Sequence, residues 1–388
     1  MKTVIYPDKD TDLSKYEYIN SEIIIYDKTG SIDTTFNKTD SEDIFSSVEN
    51  IILTQNCIKD GAYDIKPLEE ACINLSDKIR GDALIVFDTL VPPRTVFKMS
   101  KVIDEYDLMP ELNIAYTSLI KEDTRVIAGI NESSLDKVRQ LYENQNEDIK
   151  EVKHIQTAEI IPILQNTYKD TLIALSNQIA ILSEALTVDL IEAIDLANLK
   201  DDIHLLNPQP VLNQEIIRDS NEIVDLANEY GEASQLSETT RSTNNYVPYH
   251  MAYMAEKELF LKEHLAMFET TVAILGVTND DELITQSDNA SLILIDDFVQ
   301  RDVEVGVHDD KVTKEIIESH GAKKITMEEA YDADCIIVMT DTEEYRNIDP
   351  EKVQKVIITA LPILDPEKFK DVEFSSVGQY RLKEGEML

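Results

Sequence analysis

Three thiols, six histidines and ten glycines are the side chains from which this chain of 388 residues could build a covalent, metal or phosphate site. A thiolate is both nucleophile and metal ligand, but Cys57, Cys72 and Cys335 have neither metal-ligand spacing nor an even count for a disulfide framework. Each is read as a core residue. His250 and His264 are too far apart for a helical i, i+4 metal pair, and no local Ser-His-Asp signature occurs. No two glycines are separated by a single residue, so G-x-G-x-x-G and Walker loops are both excluded. One carboxylate has a suggestive place: Asp27 ends the run EIIIYD, where dinucleotide folds carry a ribose-binding acid. An ordinary strand-end Asp is the competing reading.

These residues need elements to hold them. TVIY, EIIIYD, NIILTQ, DALIVFD, NIAYT and RVIAG are β-branched runs alternating with helical patterns, which predicts βαβ units and a mostly parallel sheet over residues 1–150. From Ile161 through Leu164, Tyr168, Leu172, Leu175, Ile179, Leu182 and Leu186 the apolar spacing of three and four predicts one long helix whose stripe must be buried. Off-stripe Ile160, Ile163, Ile173 and Ile181 predict a second contact side, as in a helix that links domains or pairs subunits. Further helices follow to about residue 268. Then TVAILGV, VEVGVH, CIIVMT and KVIITAL predict a second parallel α/β domain over 269–388.

The net charge of −40 would repel nucleic-acid phosphates and anionic membranes, so neither is expected as a partner. No signal peptide pattern is present, and the most apolar helical stretch is interrupted by polar residues. A cytoplasmic location is expected.

Several stretches resemble one family. AEIIPILQNTYKDTLIALSNQIAILSEALTVDLIEAIDLAN, and Arg241, Asn244 and Pro248 in RSTNNYVPYH, are similar to the central helices of the UDP-glucose/GDP-mannose dehydrogenases. TVAILGVTNDDELITQSDNASLILIDDFVQRDVEVGVHDD, MEEAYDADCIIVMTDTEEYRNID and VIITALPILDP resemble their C-terminal domain. ILTQNCIKDGAYDIKPLEEA and LIVFDTLVPPRTV resemble segments after their third and fourth strands. The resemblance runs from about residue 48 and implies two Rossmann-like parallel-sheet domains joined by a long central helix and a helical middle domain: a degenerate dinucleotide-binding-type domain (1–150), a central dimerisation domain (151–268) and a nucleotide-sugar-binding-type domain (269–388).

The family oxidises a nucleotide-sugar alcohol to a carboxylate with NAD, through a thioester on a cysteine, with a Lys, an Asn and an Asp nearby. Carried over residue by residue, most of this is missing. TVIY is followed by PDKDTDLSKYEYIN in place of a glycine turn and helix. The helix Lys position holds Pro162, which neither donates a proton nor carries charge; Asn166, four residues on, is retained. HLLNPQPVLNQEIIRDSNEIVDLA contains no cysteine, with Ile216 near the nucleophile's place and Asp219 near the acid's. Asn279 and Thr285 stand near the family's Lys and Arg after LGV, and Thr359, Ala360, Leu361 and Pro362 replace its Asp-x-Arg-Asn.

These departures predict a non-catalytic homologue that binds or regulates in nucleotide-sugar and cell-surface polysaccharide metabolism, with no cofactor bound. The alternative is an active NAD-dependent UDP-sugar 6-dehydrogenase with relocated residues. Asn166, Arg241 and Asn244 are the expected substrate ligands, Asp27 the expected cofactor ligand, and no metal is expected. Expected partners are a second copy through the central helix, a paralogous enzyme, or a nucleotide sugar.

Overall fold

The computed structural model describes residues 1–104, 112–145, 147–278 and 289–379. Two compact units form, Met1–Gln165 and Asn166–Leu388.

In the first unit the β-branched runs become β1 (Lys2–Pro7), β2 (Glu22–Tyr26), β3 (Asn37–Thr39), β4 (Asn50–Thr54), β5 (Leu84–Phe87), β6 (Asn113–Lys121), β7 (Thr124–Gly129) and β8 (Asp148–Glu151). They pair in the order β8-β7-β6-β5-β4-β1-β2-β3. Only the β6–β7 pairing is antiparallel. β4 and β5 are buried at every position, which is why they read as continuous apolar runs rather than alternating ones. Helices α1 (Lys66–Leu75) and α2 (Thr95–Ile103) pack Leu68, Cys72, Val96 and Met99 on one face of the sheet. On the other face α3 (Glu132–Tyr142) contributes Val138, Leu141 and Tyr142. That second face is completed without an α-helix between β1 and β2: a single 3-10 turn, Ser14–Tyr16, lies there, and Leu13, Tyr16 and Ile19 fill the layer.

Helix α4 (Ile155–Leu186) runs through the boundary between the units and keeps Pro162 inside it. The second unit continues with α5 (Leu190–Ala197), α6 (Gln214–Tyr230) and α7 (Gln235–Glu263). Asn213 starts α6 by accepting a hydrogen bond from the Ile216 N–H at 2.9 Å. Gly231, at φ 71°, ends it in the left-handed conformation that glycine adopts without Cβ strain. A second sheet follows, with β9 (Thr271–Leu275), β10 (Glu304–His308), β11 (Lys323–Lys324), β12 (Cys335–Val338), β13 (Val356–Thr359) and β14 (Glu373–Ser376) in the order β11-β10-β9-β12-β13-β14, parallel throughout. Both sheets have the doubly wound arrangement expected of Rossmann-like domains. Among the described residues no helix is long and apolar enough to cross a membrane.

One expectation is turned around. Leu164, Tyr168, Leu175, Ile179, Leu182 and Leu186, the stripe expected to be buried, are exposed on α4. At 3.6 residues per turn they fall within about 60° of one another, on the side opposite Asn166, Asp170 and Asn177. The polar side chains face α6 and α7 instead, because their hydrogen-bonding groups find partners there. A stripe of period 3.6 shows that a face is apolar, and says nothing of whether its cover comes from the same chain.

Candidate functional site

Asn166, Asp170 and Asn177 lie four and seven residues apart on α4, a spacing that puts all three on one face. In the first cluster Asn166 donates to Asp219 Oδ2 at 2.7 Å, and Arg218 Nε donates to Asp219 Oδ1 at 2.8 Å. In the second, Arg241 Nη1 donates to Asp170 Oδ1 at 2.9 Å, and Asn244 Nδ2 to the same oxygen at 2.7 Å. Asn177 extends the chain by donating to Asn244 Oδ1 at 2.9 Å and to the Gln209 carbonyl at 2.9 Å. Asp170, Asp219 and Asn177 are all fully buried. Four of the residues singled out in the sequence, Asn166, Asp219, Arg241 and Asn244, therefore lie in adjoining networks between α4, α6 and α7. Asp170, Asn177 and Arg218 were missed, although the spacing of Asp170 and Asn177 from Asn166 was a readable signal.

The chemistry of this region is that of matched charge. Two buried carboxylates, Asp170 and Asp219, face two nearly buried guanidinium groups, Arg241 and Arg218. Burial pushes the Asp170 carboxyl above its usual range, against the opposing pull of Arg241 and Asn244. A guanidinium engaged this way is a poor phosphate ligand, since a phosphate would have to displace an intramolecular carboxylate. Ile216 is half-buried against the small apolar cluster of Ile173, Val211 and Ile217. All three thiols are buried. Burial pushes Cys57 up to about 12 and moves Cys72 and Cys335 upward as well, and each belongs to a sheet core.

In the first unit, Asp27 stands at the end of β2 as expected, but its carboxylate is occupied locally. Oδ1 accepts from the Gly30 N–H at 2.7 Å and from Thr29 Oγ1 at 3.1 Å; Oδ2 accepts from the Ile32 N–H at 3.0 Å and from Lys38 Nζ at 3.4 Å. Burial works against its charge, yet these donors hold the carboxyl below the usual range. The loop before β3 is organised around this one side chain.

Glu159 was not anticipated. It is 1% exposed, and it accepts from the Arg94 N–H at 2.6 Å and from the Val96 N–H at 2.8 Å. It thereby caps α2, whose own cap residue, Arg94, sits at φ 76° without a side-chain bond. Burial raises its pKa from 4.5 to about 7, although both N–H groups pull the other way. Between those values the unfolded chain releases a proton that the folded chain keeps, so stability falls as pH rises, by about 3 kcal/mol in all. Urea unfolding from pH 5 to 8 is expected to show this decline in the wild type and a flatter profile in Glu159→Gln. Parallel profiles would refute it.

At the carboxyl edge of the second sheet, Gly276 adopts φ 92°, and a Cβ there would meet Thr340 Oγ1 at 1.9 Å. Only glycine lets β9 approach β12 so closely. The following N–H groups, of Val277 and Thr278, donate to Asp309 Oδ2 at 2.6 and 3.2 Å. A carboxylate of the chain itself thus occupies donors that could otherwise face an anion. At the end of β13, Thr359 and the following Ala360 are buried, and Leu361 and Pro362 half-buried. Asn279 and Thr285 lie outside the described residues.

Comparison with known proteins gives this arrangement a context. Residues 156–246 match the central domain of the UDP-glucose/GDP-mannose dehydrogenase family, and residues 273–371 match its UDP-binding domain. The UDP-N-acetyl-D-mannosamine dehydrogenase of Methanococcus vannielii is 26% identical over 279 residues, covering 70% of this chain. The chain spans 63% of the length of that curated relative. Among solved structures, the UDP-D-ManNAc dehydrogenase of Pyrococcus horikoshii superposes with a TM-score of 0.79 at 19% identity, covering 97% of this chain and 99% of that one. The NDP-N-acetyl-D-galactosaminuronic acid dehydrogenase of Methanosarcina mazei gives 0.82 at 16%, covering 98% and 95%. At such identities the structural likeness speaks for the fold alone. With both matched domains in family order, the chain belongs to the UDP-glucose/GDP-mannose dehydrogenase family.

Proposed function

We propose that this protein does not carry out the family oxidation and instead serves nucleotide-sugar or cell-surface polysaccharide metabolism as a binding or regulatory subunit. The observation that carries this reading is the absence of an available thiolate. All three cysteines are buried in sheet cores with their thiols held protonated by burial, while the helix Lys position is Pro162 and the nucleophile's neighbourhood holds Ile216. Thiolate and proton-transfer groups each commonly contribute orders of magnitude to rate, and this chain would have to replace both.

Self-association through α4 belongs to the same proposal. Glu159, Lys169, Asp170 and Glu184 are the charged residues of α4, and at 3.6 residues per turn all fall on the half centred on Asn166. The outward half carries no charge in a protein of net charge −40, and it bears six exposed large apolar side chains. Such a patch is characteristic of an interface. Sedimentation should give a dimer, with Leu175→Asp/Leu182→Asp sedimenting as a monomer. A wild-type monomer would refute the pairing.

The second reading, an active NAD-dependent UDP-sugar 6-dehydrogenase, is favoured by the names of its relatives and by the retained Asn166–Asp219 pair. Incubation of the full chain with NAD and UDP-N-acetyl-D-mannosamine or UDP-glucose separates the two. No NADH above the protein-free background is expected. Sustained NADH formation with two equivalents per sugar would overturn the proposal.

A further inference from the structure

In a doubly wound sheet a dinucleotide lies outside the carboxyl ends of the strands, at the point where strand order reverses. In the first unit that point is between β1 and β4, because the chain passes from β1 to β2 and β3 on one side and returns to β4 on the other. The crevice mouth is crossed by hydrogen bonds of the chain itself. Thr11 Oγ1 lies 2.9 Å from Thr54 Oγ1 and 3.4 Å from the Thr54 carbonyl. Gln55 Nε2 donates to the Tyr6 carbonyl at 2.7 Å, and the Asn56 N–H donates to Asp8 Oδ2 at 3.2 Å. Each joins β1 or the segment just after it to the end of β4.

The same segment is fixed further on. Tyr16 is fully buried and donates to Asp88 Oδ2 at 2.7 Å, just past β5. The Asn20 N–H donates to the Leu141 carbonyl at 2.8 Å, at the end of α3. Where a dinucleotide fold offers helix N–H groups to a pyrophosphate, this segment brings Asp8, Asp10 and Asp12. These residues do not fit NAD.

We propose that residues 8–12 are an internal plug: they cross the switch-point crevice of the first unit and tie β1 to β4, residues 13–20 anchor them on the sheet face and to Asp88 beyond β5, and the unit is a closed scaffold that binds no dinucleotide. The inference stands on this geometry and is independent of the missing thiol.

Two measurements on the full chain test it. Calorimetry with NAD and with ADP-ribose at millimolar concentration is expected to give no saturable heat. Hydrogen exchange should find the Tyr16 and Asn20 amides protected like those of β1, and Tyr16→Ala should speed exchange across residues 8–20 at least tenfold without altering β1. Saturable NAD binding would overturn the plug, as would unprotected amides at 16 and 20. Binding without NADH formation sinks this inference and leaves the proposed function standing, whereas NADH formation sinks both.

Discussion

Arg125→Met is expected to destabilise the first unit by about 3–5 kcal/mol at neutral pH, the usual cost of removing one partner from a buried ion pair. Arg125 is fully buried. Its Nε and Nη2 grip Glu147 at 2.5 and 3.0 Å, its Nη1 donates to Thr117 Oγ1 at 3.1 Å and lies 3.6 Å from Asp88 Oδ2, and its guanidinium stacks 4.5 Å from the Tyr142 ring centroid. Met would fill much of the volume but satisfy none of these oxygens. Burial alone would raise the Asp88 carboxyl; Lys15 and Arg125 hold it below its ordinary value of 3.8. A depressed carboxyl contributes stability that is present above the unfolded value and lost as pH falls through the folded one. Without Arg125 that loss should begin at higher pH, so acid unfolding of the variant should have a higher midpoint. Arg125→Lys keeps charge but loses the fork, and should fall between the two. A urea-derived loss below about 1 kcal/mol would show that the cluster is not a matched ion pair.

The position of Arg125 explains what was legible in the sequence. β7 was visible as RVIAG because β-branched residues on a buried strand leave a strong pattern, and nine other strands were visible for the same reason; the four edge strands β3, β8, β11 and β14 are short and largely polar and were missed. What the pattern cannot carry is the partner of a polar residue. Arg125 meets Asp88, Thr117, Tyr142 and Glu147 from different parts of the chain, and no local spacing links them. Glu159 was invisible for a related reason: its significance lies in two N–H groups of a helix more than sixty residues earlier.

Helix α4 shows the opposite case. Its periodicity exposed both faces, and family resemblance marked Asn166, but the assignment of inside and outside followed the apolar stripe. Burial there was decided by hydrogen-bond pairing. Asp170 and Asn177 have partners on α7 and the loop before α6, and an unpaired polar group in that position would cost more than leaving Leu175 or Leu182 in water. The glycine count was the most transferable signal. It excluded a phosphate-cradling turn after β1, and the segment there is held by Thr11, Tyr16 and Asp8 through side chains that a glycine turn does not possess.

Arg241→Met should have an effect of the same size in the second unit, about 3–5 kcal/mol at neutral pH, and it also distinguishes two roles for this residue. Asp170 would keep Asn244 as a donor but lose its countercharge. Its carboxyl, already raised by burial, would rise further. Because a raised carboxyl costs stability as pH climbs from its unfolded value toward its folded one, the penalty of the variant should shrink on acidification. Adding Asp170→Asn removes the orphaned charge and should restore most of the loss, since replacing both partners is far cheaper than removing one. If Arg241 serves only the fold, the double variant recovers stability and retains whatever nucleotide-sugar binding calorimetry finds in the wild type. If Arg241 also contacts the ligand, stability returns but binding stays lost, and the residue is both a structural countercharge and a binding group. A double variant no more stable than Arg241→Met would contradict the matched-charge description itself.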